Sequence, residues 1–492
     1  MKTPGNFKKL RTPLSRRGIS IAVAVCTCLA SASQGEEMRV FHSAEGKPLK
    51  AGLVSISGDK VTLKREDGKT FELAKIKLSQ EDQTYIAEIS RRAGDEAVKL
   101  NTAAGHSITT GSGITERKAE ELAAALQLRP ESQSKYGRSW RLYAAYAENY
   151  LLFGAMPYSV ALYSNQDGTV GSVSIVYANK GDFGSTAGFG QAHFKGGTAP
   201  TAATLGEAMA KDEETVGKAL TSILGAAKVQ RYGEGATRRK ISRWDWNGSA
   251  FILSNEENEY VSLAIVPSAT ADNGGKSAMV KDGEVKQRLV SSVVRADNGD
   301  VRLSEIPMVD QGPKGYCAPA TFERAMRTMG LEADMYLLAM VGQSQAGGGT
   351  SVELLLDNVR SQVYSKGRRT KDETLKELKI RDVKRYLDEG IPIMWTMCSM
   401  ESYNEIADKN TIARAKVTDW KTYAAEIATQ GLEFVKKEKP ADNRHICMII
   451  GYNEATQELA VSDSWGPRFE LRWVPVAVAN WASAGGIFMI LP

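Results

Sequence analysis

The sequence predicts an α+β protein built from several domains. Its 492 residues are too many for one compact core. Short runs that alternate apolar and polar residues occupy the N-terminal part, whereas helical and strand patterns are mixed in the remainder. Composition and turn signals divide the chain into four segments, which are 1–32, 37–90, 108–296 and 301–492.

The first segment, 1–32, has the composition of a signal peptide. It opens with the basic residues Lys2, Lys8, Lys9, Arg11, Arg16 and Arg17. An uncharged stretch follows and ends in the small-x-small pattern Ala30-Ser31-Ala32. About a dozen apolar residues are too few for the roughly 20 that span a membrane. We therefore expect a bacterial protein that is exported to the periplasm or secreted, with no membrane span after cleavage. The pair Arg16-Arg17 also resembles a twin-arginine signal.

Loss of this segment changes the charge and the cysteine count. The chain has 63 Lys and Arg against 58 Asp and Glu, and removing the six basic residues leaves 57, a formal net charge of −1. Nucleic acid is therefore not an expected partner. The cysteines that remain are Cys317, Cys398 and Cys447, an odd number that predicts at least one free thiol in an exported protein. Cys398 and Cys447 either form a disulfide or stay as buried free thiols, and we favour the free thiols.

The segment 37–90 predicts a small all-β unit of tight hairpins. Its alternating runs are 49–56, 60–65 and 70–73. The turns Ser57-Gly58-Asp59 and Glu66-Asp67-Gly68 separate them, and Ser79 caps a helical turn at the end. The pattern resembles the first homology domain of the fungal actin-patch adaptor Sla-one, which is an SH3-like barrel. The resemblance implies that fold, with a peptide-binding or spacer role.

The segment 108–296 predicts an α+β domain without a catalytic motif. Helices are expected at 115–126 and 205–224, and strands at 158–163, 171–177, 239–246, 250–253 and 260–266. Aromatic residues that alternate on these strands, Trp244, Trp246 and Phe251, are expected in the core rather than on a ligand platform. The polar run 297–300 marks the boundary with the last segment.

No metal or cofactor is expected. The histidines outside the last segment, His42, His106 and His193, are isolated and lack the spacing of metal ligands.

Cys317 lies at a turn just before a predicted helix. The Gly- and Pro-containing run 312–315 interrupts any preceding element, and 320–329 predicts an amphipathic helix. The polar face of this helix would carry Glu323, Arg324 and Arg327. Unpaired N–H groups and the positive end of the helix dipole favour the thiolate at such a position. The sequence therefore indicates an activated cysteine, with a buried structural cysteine as the alternative.

Two later strands predict a base and an acid beside each other. His445 opens an apolar strand, and after the turn 453–457 a second strand is expected over 458–466, which includes Asp463. Strands joined so closely pair as a hairpin. His445 would take the proton from Cys317 or form an ion pair with it, and Asp463 would accept from the other ring nitrogen. Gln311 supplies an amide that would join the Cys317 N–H in stabilising an oxyanion. Taken singly, a core histidine, a turn-capping aspartate and a surface amide are the alternatives.

These residues together resemble the papain-like cysteine peptidase superfamily over 301–492. The likeness is closest to the bacteriocin leader-processing peptidase-like branch, on the motif Cys-x-Pro-Ala at Cys317, the turn Gly349-Thr350-Ser351, the strand that Gly390-Ile391-Pro392 opens, and an acid rather than an amide at Asp463. The resemblance implies a papain-like α+β fold. It also implies the roles of nucleophile, base, orienting acid and oxyanion donor for Cys317, His445, Asp463 and Gln311.

We therefore expect an exported thiol hydrolase that acts on peptide or isopeptide bonds of a peptide or protein substrate through a thioester. The alternative, from a different class, is a noncatalytic scaffold that binds peptides or proteins with a papain-like fold. A peptide ligand of the N-terminal barrel is a further expected partner if that barrel binds peptides rather than serving as a spacer.

Overall fold

In this computed structural model, the described residues form antiparallel sheets with helices packed against them. Those residues are 38–144, 149–183, 204–276, 279–345, 349–436 and 443–492. They contain three sheets, and they all belong to one compact unit. The predicted signal peptide and His193 lie outside them. Within the described ranges, no helix combines the length and apolar character that crossing a bilayer requires.

The N-terminal sheet consists of β1 (Arg39–His42), β2 (Pro48–Ser57), β3 (Lys60–Arg65) and β4 (Thr70–Ala74). β1 pairs with β2, β2 with β3 and β3 with β4, so the strands form an antiparallel sheet of four. This sheet does not close into a barrel among the described residues. The predicted hairpins are present.

The helix α1 (Gln80–Ala104) follows this sheet and is much longer than the single turn expected from the sequence. Ser79 caps it by accepting from the Asp82 N–H at 3.2 Å. Its extension has a physical reason, because Ile86, Ala93, Ala97 and Leu100 recur at helical spacing and are buried.

The middle sheet has eight strands. These are β5 (Arg129–Ser134), β6 (Gly137–Tyr143), β7 (Ser159–Ser164), β8 (Val170–Asn179), β9 (Lys228–Tyr232), β10 (Arg239–Trp246), β11 (Ser249–Glu256) and β12 (Tyr260–Pro267). They pair in the order β5-β6-β7-β8-β12-β11-β10-β9. The helices here are α2 (Ala119–Ala125), α3 (Lys180–Phe183), α4 (Leu205–Leu224) and α5 (Ser268–Asp272).

The expected elements of this domain are largely present. The helix expected at 205–224 is α4, and Trp244, Trp246 and Phe251 are buried in the core as predicted. The helix expected at 115–126 is broken into a 3₁₀ turn, Ile114–Glu116, and α2.

The C-terminal sheet lies at the centre of the largest apolar core. Its strands are β13 (Val293–Arg295), β14 (Asp300–Leu303), β15 (Arg369–Thr374), β16 (Ile393–Cys398), β17 (Arg444–Asn453), β18 (Glu458–Ser462), β19 (Arg472–Pro475) and β20 (Ser483–Leu491). The order is β13-β14-β17-β16-β20-β15, with β18 paired to β17 and β19 to β18. The polar run 297–300 includes the turn between β13 and β14.

Helices surround this sheet. They are α6 (Asp282–Ser291), α7 (Cys317–Thr328), α8 (Met335–Val341), α9 (Val352–Ser365), α10 (Ile380–Leu387), α11 (Glu401–Arg414), α12 (Trp420–Phe434) and α13 (Val476–Ala482). The helix α7 begins at Cys317, three residues before the predicted start.

The amphipathic character predicted for α7 is wrong in one respect, because its polar side is covered. Glu323 and Arg324 are both fully buried. The Tyr163 hydroxyl of the middle sheet donates to Glu323 at 3.0 Å. The Arg324 guanidinium donates to the Pro307 carbonyl and to Ser462. Partners from distant parts of the chain therefore contact both side chains, and the Glu323 carboxylate also pairs with Arg327 one turn along the same helix at 2.7 Å.

Candidate active site

Cys317 is the first residue of α7 and is half-buried. Burial raises the pKa of its thiol, but the hydrogen bond and charge of His445 and the N–H groups of Ile446 and Ala318 lower it more. The pKa of the thiol therefore lies below its ordinary value. This position combines the helix N-terminus and the neighbouring imidazole, both of which favour a thiolate.

His445 and Asp463 meet at the open end of the β17–β18 hairpin. The distance from His445 Nε2 to Asp463 Oδ1 is 3.0 Å, and both side chains are buried. Burial lowers the pKa of His445, but its hydrogen bonds to Asp463 and Cys317 raise that pKa to about 9. Burial also opposes ionisation of Asp463, yet the pKa of this carboxyl is lowered because His445 and Arg472 pair with it.

The hairpin explains this meeting. β17 and β18 pair antiparallel after a short turn, as the sequence predicts. The second strand is shorter than expected and ends at Ser462, because the Asp463 N–H donates to the Phe469 carbonyl in a turn rather than to the strand ladder. Asp463 thus points its carboxylate to the start of β17, where His445 lies.

Arg472 binds the second oxygen of Asp463. Its Nη2 lies 2.6 Å from Asp463 Oδ2, and its Nη1 lies 3.0 Å from Asn404 Oδ1 and 3.3 Å from Asp408 Oδ1 on α11. The role of Arg472 was not predicted from the sequence. A signal was present, because a basic residue in the apolar run Leu471-Arg472-Trp473-Val474 needs a partner if the run is buried.

Trp465 covers the imidazole. Its ring stacks on His445 with centroids 4.6 Å apart and planes at 28°. Phe469 supports Trp465 edge-on at 5.4 Å. An indole in this position shields the bond between His445 and Asp463 from water, which strengthens it. The stacking of Trp465 on His445 was not predicted from the sequence.

These residues fall inside the span that a comparison with known families identifies. Residues 303–486 match the Peptidase_C39 like family. The C-terminal region is therefore similar to cysteine peptidases of this kind, and its helices and antiparallel sheet fit a papain-like fold.

Several solved structures are similar to part of this chain, and one of them is a peptidase domain. It is the crystal structure of the peptidase domain of Streptococcus ComA, a bi-functional ABC transporter involved in a quorum sensing pathway. Identity is 11%, the match covers 38% of this chain and 99% of that chain, and the TM-score is 0.25. No curated protein matches this chain.

Gln311 of the peptidase-like domain lies on the segment that leads to Cys317. Its backbone N–H donates to the Ser464 carbonyl at 2.8 Å, which ties it to the turn beside Asp463. Its side-chain Nε2 donates to the Lys314 carbonyl at 3.0 Å, while its Oε1 is buried without a hydrogen bond among the described residues. One N–H of this amide therefore donates a hydrogen bond, and the other N–H has no hydrogen-bond partner among the described residues.

The remaining cysteines of the peptidase-like domain are free thiols, as favoured from the sequence, but only Cys447 is buried and Cys398 is half-buried. On paired β16 and β17, Cys447 lies opposite Trp395 and Cys398 opposite Arg444, so the two cysteines are not neighbours across the ladder. Burial holds the pKa of the Cys447 thiol well above its ordinary value. The described residues contain no group of His, Cys, Asp and Glu suited to a metal ion.

Proposed function

We propose that this protein is a cysteine peptidase that cleaves peptide or isopeptide bonds through a thioester on Cys317. The observation that carries the proposal is the hydrogen-bonded chain from the Cys317 thiol through His445 to Asp463. The lowered pKa of the thiol and the raised pKa of the imidazole both favour a thiolate–imidazolium pair at neutral pH.

The reaction follows from these groups. The Cys317 thiolate attacks the carbonyl carbon, a C–S bond forms and the carbonyl oxygen becomes an oxyanion. The His445 imidazolium gives its proton to the leaving amine as the C–N bond breaks, which leaves a thioester. Neutral His445 then takes a proton from water, the hydroxide attacks the thioester, and the thiolate leaves. Asp463 fixes the tautomer and orientation of the imidazole throughout.

We assign the oxyanion site to the Cys317 N–H and the Gln311 amide. Cys317 is the first residue of α7, where N–H groups lack partners within the helix. The second N–H of Gln311 Nε2 would supply the other donor once a substrate carbonyl enters.

Export and the N-terminal sheet form a separate part of the proposal. Segment 1–32 would direct the protein to the periplasm or the exterior, where thiol chemistry would act on exported substrates. The four-stranded sheet at 39–74 would then adopt an SH3-like role as a peptide-binding module or spacer. Sequencing the N-terminus of protein recovered from the exported fraction tests the first part, with a new terminus just after Ala32 as the expected result.

Labelling with a thiol-directed probe tests the catalytic proposal. An epoxide or vinyl-sulfone peptide probe should label the wild-type protein on Cys317, the Cys317→Ala variant should stay unlabelled, and Cys398→Ala should label as wild type. The wild type and the Cys398→Ala variant should cleave a peptide library, whereas the Cys317→Ala variant should not. Peptide binding that survives Cys317→Ala, without cleavage by the wild type under reducing conditions, would instead support the noncatalytic scaffold.

A further inference from the structure

A buried lysine lies three residues before the nucleophile. The Lys314 side chain is 0% exposed, and its Nζ lies 3.5 Å from Oδ1 of Asp182, whose side chain is also 0% exposed. Asp182 belongs to α3 of the middle domain, where its N–H donates to the Asn179 side chain at 3.1 Å. The segment before Cys317 is therefore joined to the middle domain by an ion pair that water does not reach.

Tyrosine rings enclose the Lys314 ammonium group. The distances from Nζ to their centroids are 4.6 Å for Tyr143, 4.8 Å for Tyr158, 5.0 Å for Tyr336 and 5.6 Å for Tyr316. The faces of such rings attract a cation. Two of the rings belong to the middle domain and two to the peptidase-like domain, so the enclosure exists only while the domains are in contact.

The contact leaves no room for a methyl group. Gly312 has a φ of +67°, and a Cβ there would lie 2.8 Å from the Tyr143 ring. A Cβ on Gly181 would lie 2.5 Å from the Tyr316 ring. The Tyr143 hydroxyl also donates to the Asp310 carbonyl, and the Asp310 N–H donates to Glu131 at 2.8 Å. The middle domain thus holds the backbone on both sides of Gln311.

The cost of burying a charge ties the Lys314 side chain to its partners in the middle domain. A buried ammonium without a partner is costly, so the Lys314 side chain is stable in this position only with Asp182 and the rings in place. Burial lowers the pKa of Lys314 to about 8 even though Asp182 opposes that shift. The Lys314 backbone carbonyl meanwhile accepts from Gln311 Nε2 and from the Tyr316 N–H at 2.8 Å. One residue therefore links the middle domain to both the amide and the helix start.

We propose that Lys314 and Asp182 are positioning residues, through which the middle domain holds the segment 310–316 in the conformation that presents Gln311 and Cys317. The middle domain is then a structural part of the active site rather than a separate recognition module. The kinetic consequence rests on the proposed peptidase function, whereas the conformational consequence does not.

Two variants of the full chain test this proposal, Lys314→Met and the isosteric Asp182→Asn. Hydrogen exchange of backbone amides in 310–317 should become about 10-fold faster or more in both, because the segment is released from the middle domain. The pH profile of Cys317 alkylation should shift to higher pH, since the thiol then loses its fixed hydrogen bonds. Turnover should fall by about 10-fold to 10²-fold through kcat, with little change in KM.

Arg243→Met is the matched control, because Arg243 is also buried and pairs with Asp245 and Asp272 within the middle domain. It should alter the melting temperature without changing exchange in 310–317 or the alkylation profile. Lys314→Arg should restore part of the wild-type profile, since it keeps the charge.

Unchanged exchange in 310–317 in both Lys314→Met and Asp182→Asn would overturn the proposal, whether or not the wild type cleaves peptides. The proposal would also be overturned if both variants lost melting temperature as Arg243→Met does while the pH profile of Cys317 alkylation stayed unchanged. Wild-type Cys317 that alkylates no faster than Cys398 would count against the proposed peptidase, while the exchange measurement would still decide the role of Lys314.

Discussion

Arg472 and Asp463 form a buried ion pair directly behind His445, with Arg472 Nη2 2.6 Å from Asp463 Oδ2. Asp463 uses its other oxygen for the imidazole, so one carboxylate joins two cations when His445 is protonated. The guanidinium helps to keep this carboxyl ionised in a dry environment. The orientation of His445 therefore depends on β19 as well as on the hairpin that carries the acid.

This arrangement predicts an unusual response to Asp463→Asn. An asparagine can accept from His445 with Oδ1, but its NH₂ group would then face the Arg472 donor. We expect Asp463→Asn to lower turnover less than His445→Ala, since the imidazole remains, and to lower the free energy of unfolding by about 1–3 kcal/mol, because Arg472 then keeps only the partly exposed Asp408 as an ionic partner. Urea unfolding and peptidase kinetics check both effects.

The double variant Arg472→Met with Asp463→Asn isolates the conflict. It should recover much of the stability that Asp463→Asn loses, because no buried charge is then left unpaired. Additive losses in the double-mutant cycle would contradict a direct coupling between these two side chains.

Trp465→Ala should weaken the site without unfolding it. Removing the ring that stacks on His445 lets water reach the hydrogen bond between His445 and Asp463, which weakens the contact that fixes the orientation of the imidazole. We expect about a 10-fold loss of turnover, the low end of what positioned proton transfer contributes. Trp465→Phe, which keeps a stacked ring, is the control and should retain most activity. NMR measures how fast the His445 ring N–H proton that faces Asp463 exchanges with water, and an unchanged exchange rate in Trp465→Ala would refute the shielding argument.

The pH dependence follows from the two shifted groups. Because the pKa of Cys317 is lowered, its thiolate forms at lower pH than an ordinary thiol and disappears on acidification through that lowered pKa. The pKa of His445 is raised to about 9, so the imidazolium is present below that pH and is lost above it. Turnover should therefore be high around neutral pH and fall above about pH 9, where no proton remains for the leaving amine.

Iodoacetamide kinetics read by peptide mapping test the thiol limb of this profile. Cys317 should alkylate much faster than Cys398 or Cys447 at pH 7. Equal alkylation rates for the three thiols would contradict the hypothesis that Cys317 is an activated nucleophile.

Local patterns in the sequence were sufficient for part of this site. His445 and Asp463 are 18 positions apart and joined by a short hairpin, so strand alternation and turn length alone predict their meeting. Cys317 is predicted at a helix start by the Gly and Pro residues before it. Each of these relationships depends on the backbone geometry of a single local element, a hairpin or a helix start.

Relationships across long sequence separations were not predictable. Glu323 looks like a solvent-exposed helix residue until Tyr163, 160 positions earlier, covers it. Arg472 gains its role only because β19 returns beside β18. The enclosure of Lys314 likewise needs the middle sheet, and periodicity in one sequence carries no information on which distant surface covers a helix.

The last prediction concerns Gln311, whose amide acts on charge that develops only during the reaction. Gln311→Ala should leave thiol alkylation and the melting temperature nearly unchanged, because the side chain gives up a single hydrogen bond, to the Lys314 carbonyl. Turnover should fall about 10²-fold through kcat, as when one oxyanion donor is lost. Gln311→Glu, similar in size, should be worse than alanine, since a carboxylate would repel the oxyanion. Wild-type turnover in Gln311→Ala with intact folding would mean that the oxyanion is stabilised by other donors.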